Sequence, residues 1–164
     1  MAKQKKLLII AHCPSPNTQA MAEAIIRGAT LIAADSIQPE SLKCELKSPF
    51  DCHAKDVLEA SALILFTTEN FGYMNGALKD FFERVFYPCL DDGVRNEGKP
   101  YSLIVKAGLD GTGATNSVHK IITGLRWKEI NPTLLCKGEF THNFLGQCQE
   151  VGQLMAASLD ADII

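Results

Sequence analysis

Residues 6–11 (KLLIIA), 62–67 (ALILFT) and 101–106 (YSLIVK) carry apolar runs that no polar alternation breaks. A strand with no wet face must be covered on both sides, and that condition is met in a parallel sheet flanked by two layers of helices. The segments between these runs have helical spacing. Met21, Ala24, Ile25 and Gly28 fall on one face of 17–28, and Leu78, Phe81, Phe82 and Val85 on one face of 76–85. Val118, Ile121, Ile122 and Leu125 repeat the pattern after a glycine-rich entry, as do Cys148, Val151, Leu154 and Met155 within 141–159. A short helix is predicted around 54–60.

Two further segments read as sheet edges. Leu42, Cys44 and Leu46 alternate with Lys43, Glu45 and Lys47, a period of two with one wet side. Residues 128–136 read as a fifth strand, in which Pro132 has no N–H to give a ladder. Strand and helix thus alternate five times. With strands 1, 3 and 4 central and 2 and 5 at the edges, the fold class is α/β: a three-layer, doubly wound, five-stranded parallel sheet of order 2-1-3-4-5. The chain has 164 residues, 46% hydrophobic and 21% charged, which suits one domain over 1–164. A fold of that size buries about 70% of its extended-chain surface.

Composition removes several function classes. A net charge of −3 gives no basic surface for nucleic acid and no reason to expect a membrane partner. The six cysteines are Cys13, Cys44, Cys52, Cys89, Cys136 and Cys148; no two form a CxxC pair, and they are too sparse for a disulfide framework. The lysines at the start precede an apolar run of five residues, 7–11, shorter than a signal core, and bulky His12 before Cys13 argues against a lipoprotein signal. A soluble, reduced, cytoplasmic domain is expected. Cys52 and His53 are adjacent, but His12, His119 and His142 are scattered with no paired spacing, so no zinc site is predicted.

In such a sheet the ligand lies beyond the carboxyl ends of the strands, at the switch point between strands 1 and 3. Three loops face it: 12–18, 68–75 and 107–113. The first, HCPSPNT, offers Ser15, Asn17 and Thr18 at a helix start, where they either cap the helix or help its free amides hold a phosphate. Neither GxGxxG nor GxxxxGK[ST] is present. The second, TTENFGYMNG, sets Phe71 and Tyr73 among Asn70, Gly72 and Gly76. Its rings lie against a flat ligand, or Phe71 or Met74 tucks into the core as a lid. In the third, Gly108, Gly111 and Gly113 make backbone available. Glu69 and Asp110 are acid–base candidates or merely solvated carboxylates. The polar stretch 86–100 reads as an unusually long connection with a turn at Asp91, Asp92 and Gly93, and Trp127 reads as packing. Cys13 opens the first loop as a phosphatase nucleophile would, but the sixth residue after it is Gln19 where CxxxxxR needs arginine.

Taken together, HCPSPNTQAMAEAI, ASALILFTTENFGYMNGALKDFFERVFYP and KPYSLIVKAGLDGTGA resemble the flavodoxin-like, FMN-dependent NAD(P)H:quinone and FMN reductase family, over nearly the whole chain and most of all in 61–88. The resemblance implies that Ser15, Asn17 and Thr18 hold the FMN phosphate. It implies that Thr68, Glu69, Asn70, Phe71 and Gly72 line the isoalloxazine, and that Gly108, Asp110 and Gly111 close its other side. It further implies NAD(P)H as electron donor and a small-molecule electron acceptor such as a quinone or flavin. A homodimer or homotetramer is also implied, in which a neighbouring subunit helps cover the flavin, with 86–100 as the contact segment. The chain departs from the family at Cys13, where serine is common, at Pro16, near which glycine is usual, and at Thr68, where proline is usual. Two other readings stand beside this one: a flavodoxin-type electron carrier, and a flavodoxin-like binding protein that has lost flavin.

Overall fold

The uninterrupted apolar runs become strands buried on both faces. A computed structural model describes residues 4–164; residues 1–3, part of the start weighed as a signal segment, lie outside the described residues. In chain order the elements are β1 (Lys5–Ala11), α1 (Pro16–Asp35), β2 (Leu42–Lys47), α2 (Ala54–Glu59), β3 (Ala62–Asn70), β4 (Tyr73–Met74), α3 (Gly76–Asp91), α4 (Gly93–Asn96), β5 (Pro100–Ala107), α5 (Thr112–Leu125), β6 (Lys128–Glu129), β7 (Leu134–Lys137) and α6 (Asn143–Asp160).

The strand order is β2-β1-β3-β5-β6, with β7 also on β5, and every pairing along this path is parallel. The expected 2-1-3-4-5 order is what forms. The fifth strand is two pieces, because Pro132 and its neighbours leave the ladder: β6 pairs with the start of β5 (Pro100↔Lys128) and β7 with its end (Ile104↔Leu134). Alternate residues of each central strand serve opposite layers. Leu7, Ile9, Ile64 and Phe66 pack with side chains of α1 and α6, while Leu8, Ile10, Leu63, Leu65 and Val105 pack with those of α2, α3 and α5.

The α1–α6 contact is a backbone contact. A Cβ on Gly28 would collide with the carbonyl oxygen of Gln149, and one on Gly152 with that of Ile25. Each helix therefore supplies one glycine to the crossing.

Residues 86–100 are not a long polar connection. Helix α3 continues through Pro88 to Asp91, and α4 follows at once. The buried stripe Leu78, Phe81, Phe82, Val85 runs on to Cys89, and packing of that stripe outweighs the hydrogen bond the proline cannot make. The turn at Asp91–Gly93 is present, with Asp92 ending α3 and accepting a 3.3 Å bond from the Arg95 N–H at the start of α4. Trp127 is a packing residue: it is buried between Phe82 and Tyr101 and gives its indole N–H to Asn96 Oδ1 at 2.6 Å. Among the described residues no helix is long and apolar enough to cross a membrane, and no cluster of three His, Cys, Asp or Glu could hold a metal.

Candidate functional site

Helix α1 leaves β1 toward one face of the sheet, and α3 leaves β3 toward the other. The carboxyl ends of these neighbouring strands therefore part and open a crevice, as the strand order requires.

Its first wall is self-contained. Ser15 is the N-cap of α1, and Pro16 occupies the first helical position, where its fixed φ suits a helix start and the missing N–H has no partner to lose. Thr18 N–H donates to Ser15 Oγ at 3.3 Å, and Ser15 N–H to Thr18 Oγ1 at 3.1 Å, a reciprocal capping box. Thr18 Oγ1 also donates to the Ser15 carbonyl at 2.9 Å. Thr18 is buried, Ser15 half-buried and Asn17 exposed. The capping role is thus fulfilled by Ser15 and Thr18. The 20-residue helix behind them has no acidic residue in its first turn, so its positive end is not neutralised from within. Burial, with Glu23 nearby, pushes the Cys13 thiol up to about 11, so this cysteine is a protonated thiol and not an activated nucleophile. Gln19 donates its side-chain N–H to the Cys13 carbonyl at 3.4 Å, where a phosphatase would place a guanidinium.

The second wall is a hairpin and not a loop. Strand β3 runs on past the sheet, turns at Phe71 and Gly72, and returns as β4, pairing Glu69↔Met74 and Asn70↔Tyr73. Both turn residues are left-handed, with φ of 54° at Phe71 and 69° at Gly72, the pattern of a tight two-residue hairpin. A side chain at such a φ is sterically disfavoured, yet the Phe71 ring stands fully in solvent. Of the two candidates for a core lid, Met74 is the one that is buried. Within this wall Thr68 Oγ1 bonds the side chain of Asn70, and both residues keep a polar edge at the mouth.

Three contacts fix the hairpin. Met74 N–H donates to Ser117 Oγ at 3.2 Å, and Asn75 N–H to Thr67 Oγ1 at 3.0 Å. Gly113, in the first turn of α5, approaches Gly72 so closely that a Cβ would strike the Gly72 carbonyl oxygen. Asn75 also caps α3, its Oδ1 accepting from Leu78 N–H at 2.8 Å, while its buried Nδ2 has no partner among the described residues.

The third wall is tied to the second. Glu69 Oε1 accepts from Leu109 N–H at 2.8 Å, and Oε2 from Gly111 N–H at 2.7 Å. Asp110 Oδ1 accepts from Thr112 N–H at 3.0 Å, and Gly111 is left-handed with φ of 71°. Gly108 and Asp110 are exposed, and Gly111 is buried. Glu69 and Asp110 are therefore structural acceptors for backbone amides. A recess of about 300 Å³ beside this wall is lined by Asp110, Gly111, Thr112, Thr115, Asn116 and Leu135 among others. Phe50, Phe71 and Leu109, which follow β2, β3 and β5, are exposed apolar residues, as are Tyr73 at the start of β4 and Leu135 within β7, and Phe50 meets His12 edge-on at 5.7 Å.

The sequence singled out Gly113 for its freedom, whereas its role is to let the hairpin dock. Ser117, one helical turn further on, and Leu109 were missed; the i, i+4 spacing of Gly113 and Ser117 is the signal for the first. A larger recess of about 390 Å³ lies at the opposite pole, among Lys5, Glu59, Arg95, Glu97 and Lys99. Its charges are matched internally, Lys5 to Asp162, Arg95 to Asp92 and Glu97 to Arg126, while Lys99 Nζ donates to the Ala60 carbonyl at 2.6 Å.

Neither a protein-family model nor a curated protein sequence matches the chain. Solved structures do. A flavodoxin from the domain Archaea is 19% identical with a TM-score of 0.75, over 95% of this chain and 99% of that one. The two-electron-reduced flavodoxin of Megasphaera elsdenii is 17% identical with a TM-score of 0.71, over 92% of this chain and 98% of that one. A WrbA-like flavodoxin protein of Agrobacterium tumefaciens is 12% identical with a TM-score of 0.70, over 98% of this chain and 99% of that one. At such identities what is shared is the path of the chain: this protein has the flavodoxin-like fold, with its crevice where the order of the sheet reverses.

Proposed function

We propose that the chain is an FMN-binding oxidoreductase that uses NAD(P)H to reduce a small acceptor such as a quinone or a flavin. The observation that carries the reading is that three different segments follow the adjacent parallel strands β1, β3 and β5 at one pole of the sheet: a capped but otherwise open helix start, a hairpin presenting an aromatic ring, and a backbone-rich loop. This donor set fits a flat cofactor with an anionic tail. Hydroxyls and a helix N-terminus suit the phosphate, and amides with exposed apolar rings suit a polar-edged ring system.

In this reading Ser15, Asn17 and Thr18 hold the phosphate. Pro16 contributes no N–H, the Thr18 N–H is given to Ser15 and the Thr18 hydroxyl proton to the Ser15 carbonyl, so Asn17 and the Ser15 hydroxyl carry most of that contact, with Thr18 holding Ser15 in place. Thr68, Asn70, Phe71 and Gly72 line one side of the ring, and Gly108, Asp110 and Gly111 the other, with Glu69 between the two walls. Bound FMN supplies the hydride acceptance and the onward transfer of electrons. The chain's own part is to orient the ring and exclude water, which needs no dedicated acid or base. We extend the proposal to a homodimer or homotetramer, supported by Tyr87 and Val94, exposed on α3 and α4 within the stretch expected to make the contact. A cytoplasmic location is supported by six free thiols.

The test is an FMN titration followed by flavin fluorescence, then NAD(P)H oxidation in the presence of a quinone. Saturable quenching and acceptor-dependent NAD(P)H consumption are expected. Flavin binding without NAD(P)H turnover would favour an electron carrier, and no binding at high micromolar FMN would leave a flavodoxin-like protein without flavin.

A further inference from the structure

We infer that Glu69 is a positioning residue for the crevice: it acts by holding the Leu109–Gly111 segment against the end of β3, not as a direct ligand of the ring. The inference rests on the flavin reading above. Thr68↔Lys106 is the last pair that joins β3 to β5, and Glu69 is the next residue along. Beyond this point β3 departs into its hairpin and β5 into its loop, so the sheet no longer fixes the distance between the two walls. The Glu69 carboxylate does so instead, with one oxygen on each of two amides two residues apart. Bonds to an ionised acceptor are roughly twice as strong as neutral ones.

The bridge is fixed at both ends. On the hairpin side, Gly72 rests on Gly113 and Met74 N–H on Ser117, so the backbone that carries Glu69 is anchored to α5. On the loop side, Gly111 is the N-cap residue of α5, a helix with no side-chain cap and no acid in its first turn. Asp110 accepts from the Thr112 N–H, and Glu69 brings a second carboxylate to the same helix end from 42 positions away in sequence. The left-handed φ of Gly111 belongs to the same arrangement, in which the Gly111 N–H reaches the carboxylate. A glutamine at position 69 keeps one acceptor oxygen but turns an NH2 group toward the second amide, so half of the bridge becomes a donor facing a donor.

The experiment compares wild type with Glu69→Gln and Glu69→Asp. Amide hydrogen exchange is measured on the ligand-free chain, and FMN affinity and the visible circular dichroism of bound FMN on the loaded one. In Glu69→Gln, exchange at Leu109 and Gly111 is expected to rise at least about tenfold while Met74 is unchanged, and the FMN dissociation constant to rise by about tenfold. The flavin dichroism should change in band shape, which a merely stabilising role would not produce. Glu69→Asp keeps the charge but shortens the reach, and is expected to fall between the two. Unchanged exchange in Glu69→Gln would overturn the bridge. Faster exchange with unaltered FMN affinity and dichroism would overturn the positioning role. A wild-type chain that binds no FMN would remove the flavin reading and this inference with it, and the exchange data, which need no ligand, would tell that failure from the others.

Discussion

The hydrogen bonds of the first wall of the crevice all lie within a few residues of one another, whereas the second and third walls are tied together and to α5 across some forty. Ser15 and Thr18 bond one another in both directions, and no hydrogen bond among the described residues ties them to the hairpin or to the 108–111 loop. The hairpin and that loop, by contrast, have local bonds of their own but owe their mutual placement to distant ones. They are set by Glu69 reaching Leu109 and Gly111, by Ser117 reaching Met74, and by Gly72 lying on Gly113. A wall of the first kind depends on its own sequence alone. A wall of the second kind is a joint product of β3, β5 and α5, and a change in any of them is felt in the others.

That contrast can be attacked most forcefully at Gly113. Gly113→Val puts a branched side chain into the Gly72 carbonyl, and urea unfolding should show a loss of about 3 kcal/mol, because backbone and not a flexible side chain blocks the space. A loss under about 0.5 kcal/mol would mean that the hairpin is free to move away. Ser117→Ala leaves the Met74 N–H without its acceptor in a buried position and should cost about 2 kcal/mol by the same measurement. Ser15→Ala breaks only the local box and should cost about 1 kcal/mol, with amide exchange at Leu109 and Gly111 unchanged. Altered exchange there would show that the walls are coupled after all.

The smallest effect concerns Cys13. Because its thiol is held up to about 11, alkylation at that site should be slow at pH 8 and should accelerate about tenfold per pH unit until near that value. A plateau reached below pH 9 would instead indicate a thiolate favoured by the start of α1.

What could be read in the sequence follows the same division. Apolar runs such as 62–67 announce strands buried on both faces, since nothing but a two-sided cover tolerates them, and the order of the sheet follows from which strands keep a polar side. Ser15 and Thr18 are legible as caps because the partners are three apart. The hairpin is not, because Phe71 stands where a left-handed turn ordinarily takes Asn, Asp or Gly, and its anchorage to Gly113 and Ser117 lies in a different helix. The bridge from Glu69 spans two walls, so a single chain read in order shows only an acid near two glycines. The passage of α3 through Pro88 was hidden for another reason: the proline stops the eye, while Cys89, four residues after Val85, carries the buried stripe across it.

The crossing of α1 and α6 has a bearing on how the protein is made. Helix α6 follows every strand in chain order, yet with α1 it covers the face of the sheet that holds Ile64, Phe66, Ile104 and Cys136. While a ribosome is still producing the residues before 143, that face has a single helix over it and an open apolar strip beside it. A nascent chain at that stage keeps this apolar face partly uncovered, the kind of surface that favours aggregation. The face is covered once Gly152 meets Ile25 and Gly28 meets Gln149, two backbone contacts that admit no larger side chain and so allow α6 to settle at one depth only.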